Sequence, residues 1–410
     1  MNYYRILFNL LSLPVIFYIL WVSIRNNDLR FLLQRLGFKY AHAQSDSIWV
    51  HAASVGEVNA ATPLIQKLST QKSIILTTNT PSSARQATKI LNDNITHVYC
   101  PVDWKWAIHK FIKQFKPCDL YIIETELWPN LFSTCHSHNI PITIINGRLS
   151  ERTLKASNWL KKEYRKCLSV TQAVLTRSEE DTQRFIALGA SASIVKTIGN
   201  IKFYQQESIK NIAAFKSSKP YVLAASTRDE EEALIVTAWQ AAISKTEDDC
   251  KLLIIVPRHP HRLATIVSQL KSFNLNIAIR SKNEAISEDT DIYIADTFGE
   301  LTSFIKGAEF VIMGGSFVNK GGQNILEVAH AGKMVVFGPY MDNFKDEAQL
   351  FVKKKAGIQL KSVNALSVKI HSLLIQPKII EELQQNAVQL IEQQQTILPN
   401  YISELQKLNL

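Results

Sequence analysis

Two short acidic constellations in this 410-residue chain carry the residue types needed to move protons. The first is His51-Ala52-Ala53-Ser54-Val55-Gly56-Glu57. It reads as a strand end passing through a small-residue turn into a helix, with Ser54 as N-cap, Gly56 leaving room for a ligand beside the backbone, and Glu57 in the first helical turn. A carboxylate there either complements the helix dipole or serves as a base. Location tilts the balance, because the carboxyl end of a first parallel strand is where α/β enzymes place reactive groups. The second constellation is Glu124-Thr125-Glu126-Leu127-Trp128-Pro129-Asn130, directly after the apolar run 120–123. Two acids so close repel each other, so a plain loop is an unfavourable place for them. A helix starting at Pro129 accounts for Glu126 as a cap but leaves Glu124 unexplained. One of the two is expected to bind or orient a hydroxyl-rich or cationic group.

In the second half, Pro257-Arg258-His259 ends an apolar run, and the arginine fork suits phosphate. Asp296-Thr297-Phe298-Gly299-Glu300-Leu301 and Met313-Gly314-Gly315-Ser316 repeat the pattern of strand, small turn and helix. Gly321-Gly322-Gln323-Asn324-Ile325-Leu326-Glu327 then opens a further helix whose free N–H groups and positive end would converge on the same place. Four such turns at successive strand ends point to a nucleotide-phosphate site, with Glu327 available for ribose hydroxyls. No G-x-x-x-x-G-K-[ST] loop or G-x-G-x-x-G fingerprint occurs, so nucleoside triphosphate hydrolysis and dinucleotide redox chemistry lose their usual support. No DxD-like pair or His/Cys cluster at ligand spacing occurs either, so neither a metal nor a cofactor is expected.

The elements that must position these groups alternate. Expected strands at 48–53, 73–78, 95–100, 119–124, 141–146, 171–176 and 193–198 are separated by helical stretches, which means a mostly parallel sheet. A polar connection over 199–220 interrupts the pattern. A second series follows near 220–225, 252–256, 275–280, 292–295, 309–313 and 334–337. The expected fold is therefore α/β with two doubly wound domains, ligands lying at strand carboxyl ends and in the cleft between domains. The segment 363–408 is helical in character, with no strand left to serve, and is expected to pack back across the hinge.

From Ile6 to Ile24 the chain carries no charge, long enough for a bilayer core, with Tyr3, Tyr4, Tyr18 and Trp21 near its ends and a net-positive flank after it. An uncleaved anchor or a helix embedded in one leaflet is expected, with the body on the cytoplasmic side; Pro14 argues against a straight span. Residues 1–200 hold 23 Lys and Arg against 13 Asp and Glu, whereas 201–410 hold 23 of each, so the first half faces an anionic partner. Beside an anchor, the basic stretch from Arg152 to Lys166 with Trp159 and Tyr164 reads either as a solvated face or as a helix lying on anionic lipid. Five scattered cysteines, odd in number and never in C-x-x-C, build no disulfide framework and fit a reducing compartment.

Collinear strings from 50 to 330 resemble one family, the Kdo transferases of Gram-negative bacteria, which move 3-deoxy-manno-octulosonic acid (Kdo) from its CMP conjugate to a lipid A precursor. They are H-A-A-S-V-G-E-V (51–58), T-T-N-T-P (77–81), E-T-E-L-W-P-N (124–130), N-G-R-L-S (146–150), G-N-I-K-F (199–203), A-A-S-T (224–227), P-R-H-P-H-R (257–262), D-T-F-G-E-L (296–301) and G-G-S-F-V with G-G-Q-N-I-L-E (314–327). The resemblance implies the GT-B glycosyltransferase fold, two Rossmann-like domains facing a cleft with an N-terminal membrane-anchor helix. The parts would be an anchor and basic flank (1–40), an acceptor-binding domain (41–205), a CMP-sugar-binding domain (206–375) and a helical tail (376–410). It implies a metal-independent inverting transfer of Kdo from CMP-Kdo to lipid IVA at the inner membrane, by a single-pass or monotopic protein with no nucleic-acid partner. Glu57 would be the general base; Ser54, Gly56, Glu124, Glu126 and Arg148 would meet the acceptor. Lys202, Pro257, Arg258, His259, Gly299, Gly315, Ser316, Asn324 and Glu327 would meet the donor. Two positions depart from the pattern: Gln323 and Arg228 each stand where many members carry histidine. Competing readings are another GT-B transferase using a UDP-sugar and a polyprenyl-linked acceptor, and a non-catalytic lipid-binding scaffold.

Overall fold

The computed structural model describes residues 3–40, 46–204, 212–245 and 252–408. Cys250 and the expected boundary at 205/206 lie outside the described residues, and the boundary at 40/41 borders them. The chain forms two compact units, Met1–Tyr204 with Thr396–Leu410, and Gln205–Gln395.

In the first unit the strands are β1 (Ile48–His51), β2 (Ile74–Thr78), β3 (Ile95–Tyr99), β4 (Asp119–Ile123), β5 (Ile142–Gly147), β6 (Ala173–Thr176) and β7 (Val195–Thr197). They build one sheet in the order β3-β2-β1-β4-β5-β6-β7. Every pairing is parallel, with Ile48 of β1 opposite Ile74 on one side and Asp119 on the other. The strands are apolar on both faces because helices cover both, and Trp49, Ile75, Phe111, Ile122 and Ile144 share the core. The order reverses between β1 and β4, so the crevice at their carboxyl ends is the topological switch point. Those two ends carry the two acidic constellations.

The N-terminal apolar run is not one span. It breaks into α1 (Tyr3–Leu10) and α2 (Ser12–Asn26), with the turn at Leu11, followed by α3 (Leu29–Arg35). Pro14 has no N–H to bond back to the preceding turn and is tolerated only in the first turn of a helix, so a new helix starts just before it. Among the described residues no helix is long and apolar enough to cross a membrane. The three helices cover the edge strand β3. Gln34 Oε1 accepts from the Tyr99 N–H at 2.9 Å, Asp28 Oδ2 accepts from the Tyr99 hydroxyl at 2.7 Å, and Phe31 packs edge-on against the Tyr99 ring. The outer side of α2 leaves Leu13, Phe17 and Ile24 at 67%, 69% and 71% exposure.

The second unit holds β8 (Tyr221–Thr227), β9 (Leu252–Pro257), β10 (Ile277–Ile279), β11 (Ile292–Ile294), β12 (Val311–Met313), β13 (Val335–Phe337) and β14 (Gly357–Gln359). The sheet runs β10-β11-β9-β8-β12-β13-β14, again wholly parallel. Its core is built on Val222, Trp239, Leu253, Ile294, Ile312 and Val336. Strand β14 was not legible in the sequence: Gly357-Ile358-Gln359 is three residues long with no periodicity, and it becomes a strand by adding to β13 at the sheet edge. Gly338, just past β13, is sterically obligatory, because an added Cβ would lie 2.2 Å from the Ser316 carbonyl oxygen. Gly338→Ala is expected to cost about 1–3 kcal/mol by forcing the backbone apart, read as a lower thermal midpoint. The C-terminal helical segment divides. Helix Pro377–Gln394 belongs to the second unit, whereas Ile397–Leu408 joins the first, where the Tyr401 hydroxyl donates to the Gly199 carbonyl at 2.9 Å and Glu404 pairs with Lys196 at 2.7 Å.

Candidate functional site

At the end of β1 the chain turns through Ala52 and Ala53 into α4 (Val55–Leu68), with Ser54 as N-cap. Ser54 Oγ accepts from the Glu57 N–H at 3.2 Å and donates to Glu57 Oε1 at 2.9 Å, while Glu57 Oε2 accepts from the Ala53 N–H at 2.7 Å. The carboxylate is thus pinned in one orientation and only 9% exposed, although Ser54, Val55 and Gly56 in front of it are open to solvent. An added Cβ at Gly56 would meet only Ser54 Oγ, at 3.8 Å, which leaves the room beside the backbone that the sequence implied. Burial pushes the Glu57 carboxyl up to about 7; the hydrogen bonds from Ser54 and Ala53 oppose the shift, and the charges of Glu124 and Glu126 add to it. Glu57 is both a helix cap and a carboxylate that exchanges a proton near neutrality.

Across the switch point, Glu124 ends β4 with φ +60, a left-handed backbone unusual outside glycine, which turns the chain sharply. Its N–H donates to the Ile145 carbonyl at 2.9 Å, and its Oε1 lies 2.9 Å from Lys202 Nζ. One of the two acids was expected to meet a hydroxyl-rich or cationic group; for Glu124 a cation is supplied within the chain. Lys202, expected at the donor, stands in this unit beside the acids. Glu126 accepts from the Trp128 indole N–H, and burial raises its pKa. It does not cap the helix Pro129–Ser137. That task falls to Asp103, which accepts from the Asn130 and Leu131 N–H groups at 3.1 and 2.7 Å and from the Tyr4 hydroxyl at 2.7 Å. Burial lifts Asp103 to about 7 as well. Arg148 stands exposed just after β5, away from any capping role.

Arg35 is a residue the sequence reading missed, having been counted only as a flanking charge. Its Nη1 donates to Asn79 Oδ1 at 2.8 Å and to the Cys100 carbonyl at 2.7 Å. The Asn79 N–H in turn donates to the Ala53 carbonyl at 3.2 Å, next to the amide that holds Glu57. The N-terminal helices thus brace the site through Arg35 and Tyr4. No local pattern signals this, because the partners are 44 and 99 residues away in sequence.

In the second unit the switch point lies between β8 and β12. Glu231, fully buried, fills it: its carboxylate accepts from the N–H groups of Gly315 at 2.5 Å, Phe317 at 2.9 Å and Arg228 at 2.9 Å. Beside it Glu232 accepts from Arg262 at 2.9 Å and from Thr227 Oγ1 at 2.8 Å, and Asp229 also binds Arg262, at 2.7 Å. Ser316 is buried, its hydroxyl donating to the Met313 carbonyl and accepting from the Gly338 N–H, so it secures the turn from inside. Pro257 is buried at the end of β9; Arg258 and His259 beyond it are exposed. Glu327 accepts from Asn324 Nδ2 at 3.0 Å; burial raises its pKa while Asn324 and nearby Arg258 lower it. Gly299 sits in an open turn with φ +87. The helix expected after Gly322 is a correction: it runs only five residues, Leu326–His330, and the Gly322 N–H is already bonded to the Gly315 carbonyl at 2.7 Å. So short a helix has little dipole to offer an anion.

Residues 31–205 match the family model described as 3-deoxy-D-manno-octulosonic-acid transferase (kdotransferase). The chain is 32% identical over 400 residues to the 3-deoxy-D-manno-octulosonic acid transferase of Rickettsia felis, covering 94% of this chain and 84% of that one. It is 32% identical over 357 residues to the enzyme of the same name from Haemophilus influenzae, covering 84% and 83%. Among solved structures, UDP-GlcNAc 2-epimerase from Neisseria meningitidis is similar with a TM-score of 0.58 at 12% identity, over 88% of this chain and 100% of that one, a likeness of fold alone. The two doubly wound units are those of the GT-B fold, and the chain belongs to the 3-deoxy-D-manno-octulosonic acid transferases, glycosyltransferases of lipopolysaccharide synthesis.

Proposed function

We propose that this enzyme transfers Kdo from CMP-Kdo to the lipid A precursor lipid IVA, with inversion, at the cytoplasmic face of the inner membrane. The observation that carries the proposal is Glu57, pinned at the switch point of the first unit with its carboxyl lifted to about 7. The ionised carboxylate takes the proton from an acceptor hydroxyl; the hydroxyl oxygen bonds to the anomeric carbon of Kdo as the bond from that carbon to the CMP phosphate oxygen breaks. The departing CMP keeps the electron pair, and Arg258 opposes the charge that grows on it. Gly56 and Arg148 are open to solvent where an acceptor could be met, and Glu124 and Glu126 shape the charge around Glu57. Incubation with CMP-Kdo and lipid IVA should release CMP and give a product one or more Kdo units heavier by mass spectrometry. Competition by UDP but not by CMP would replace this reading with a UDP-sugar transferase.

The membrane surface in this reading is met by α2 lying in the interface rather than crossing it. Its outer side is apolar, Arg25 stacks on Trp21 at 5.2 Å, and Lys110 lies 3.7 Å from the ring centre of exposed Phe38, the cation and aromatic pairing favoured at headgroups. The basic helix Asn158–Ser169, with Trp159 exposed, would add attraction to anionic lipid. The double substitution Phe17→Glu with Ile24→Glu is expected to weaken binding to anionic vesicles at least tenfold without lowering the thermal midpoint. Co-sedimentation with such vesicles checks it, and unchanged binding would remove α2 as the tether.

A further inference from the structure

Arg228 is the unsettled cation of the second unit. Three arginines lie together there, but they are not equally satisfied. Arg262 is neutralised by Glu232 and Asp229, at 2.9 and 2.7 Å. Arg258 is exposed to water and has Glu327 nearby. Arg228 is partly buried, and among the described residues its guanidinium pairs with no carboxylate: the neighbouring Glu231 is taken up by three backbone N–H groups. Nη1 of Arg228 donates to His259 Nε2 at 2.7 Å, and its Nε is buried with no hydrogen-bond partner. Partial desolvation and the charges of Arg228, His261, Arg258 and Arg262 hold the pKa of His259 below the ordinary histidine value, so His259 accepts from Arg228 without a counter-charge, and the nearby Glu231 carboxylate acts on Arg228 without an ion pair. A buried guanidinium N–H without an acceptor is costly, and an anion supplied by a ligand would remove the cost.

The Gly315 turn bounds the place where that anion would sit. Gly315, with φ +68, has no side chain, and an added Cβ would lie 3.5 Å from Arg228 Cγ and 3.2 Å from Gln323 Nε2. The two residues that depart from the family pattern therefore border the same glycine. The backbone donors that would ordinarily receive a phosphate at such a turn, Gly315 and Phe317 N–H, are occupied by Glu231 from inside. Those two amides are not free for a ligand, and the Arg228 side chain borders the same turn.

We infer that Arg228 is a donor-binding residue whose guanidinium fork holds the phosphate of the cytidylate, with Gln323 closing the opposite side of the Gly315 turn. The inference rests on the CMP-Kdo reading proposed above, and deepens it by assigning the phosphate to a residue that the family motifs do not supply. The test is calorimetric titration of the full-length protein and of Arg228→Gln and Arg228→Lys with CMP, and with cytidine, which lacks the phosphate. Arg228→Gln should weaken CMP at least tenfold and leave cytidine within twofold, and Arg228→Lys should regain at least a threefold part of the loss. CMP affinity within twofold of the parent in Arg228→Gln would overturn the inference while leaving the donor reading intact. Equal loss for CMP and cytidine would also overturn it, since the residue would then be holding the turn rather than the phosphate. A parent protein that binds UDP and not CMP would overturn the donor reading, and this inference with it.

Discussion

Glu57→Gln is expected to lower the transfer rate about 10²–10⁴-fold, the range for losing a positioned general base. Glutamine keeps an acceptor oxygen for the Ala53 N–H and an amide for Ser54, so the N-cap of α4 is largely retained and the loss is chemical rather than structural. The pH profile separates the two roles. A base must be ionised, so kcat/KM of the parent should rise with pH through about 7 and be lost below it, because burial has lifted the Glu57 carboxyl that far. Stability runs the other way. A carboxyl whose folded pKa is raised favours the fold when protonated, so that contribution is present below the ordinary carboxylate range and is lost as pH climbs through about 7. E57Q should flatten the limb near 7 and be no less stable than the parent at pH 8. Wild-type rates in E57Q would leave the carboxylate with the capping role alone.

Glu231→Ala is expected to cost about 3 kcal/mol or more, because it strands two buried backbone N–H groups and a partly buried third, each buried one worth roughly 1–3 kcal/mol when left without an acceptor. Those amides belong to the turns after β8 and β12, so CMP binding should fail together with stability. E231Q, isosteric but neutral, should fall between the two. Urea denaturation followed by circular dichroism gives the measurement. A loss below about 1 kcal/mol would mean that water or a shifted backbone replaces the carboxylate.

The strand-and-helix alternation is legible because parallel strands covered on both faces must be continuous apolar runs, and connections of roughly a dozen residues or more between them leave room for crossover helices. Sequence alone therefore puts Glu57, Glu124, Arg258 and Gly315 at strand ends. Periodicity says nothing about which strand ends are neighbours. The sheet order made β1 adjacent to β4, and so made Glu57 a neighbour of Glu124 and Glu126.

Local signals failed where an interaction spans a large sequence distance or where a run of residues is bounded by one proline. Asp103 took the cap that Glu126 could have supplied, since its reach to Asn130 and Leu131 depends on how the loop after β3 lies over the sheet. The apolar run 6–24 promised a single helix by hydropathy, but Pro14 divides it into α1 and α2, and the inner side of α2 goes to seal the edge strand β3. The sequence by itself determined the fold class, the strand ends and the residue types offered there, because hydrophobic period and turn chemistry act over a few residues. Tertiary structure alone decided which carboxylates are buried deeply enough to titrate near neutrality and which of three arginines keeps a buried N–H without an acceptor, because desolvation and hydrogen bonding depend on neighbours that the chain brings in from far away.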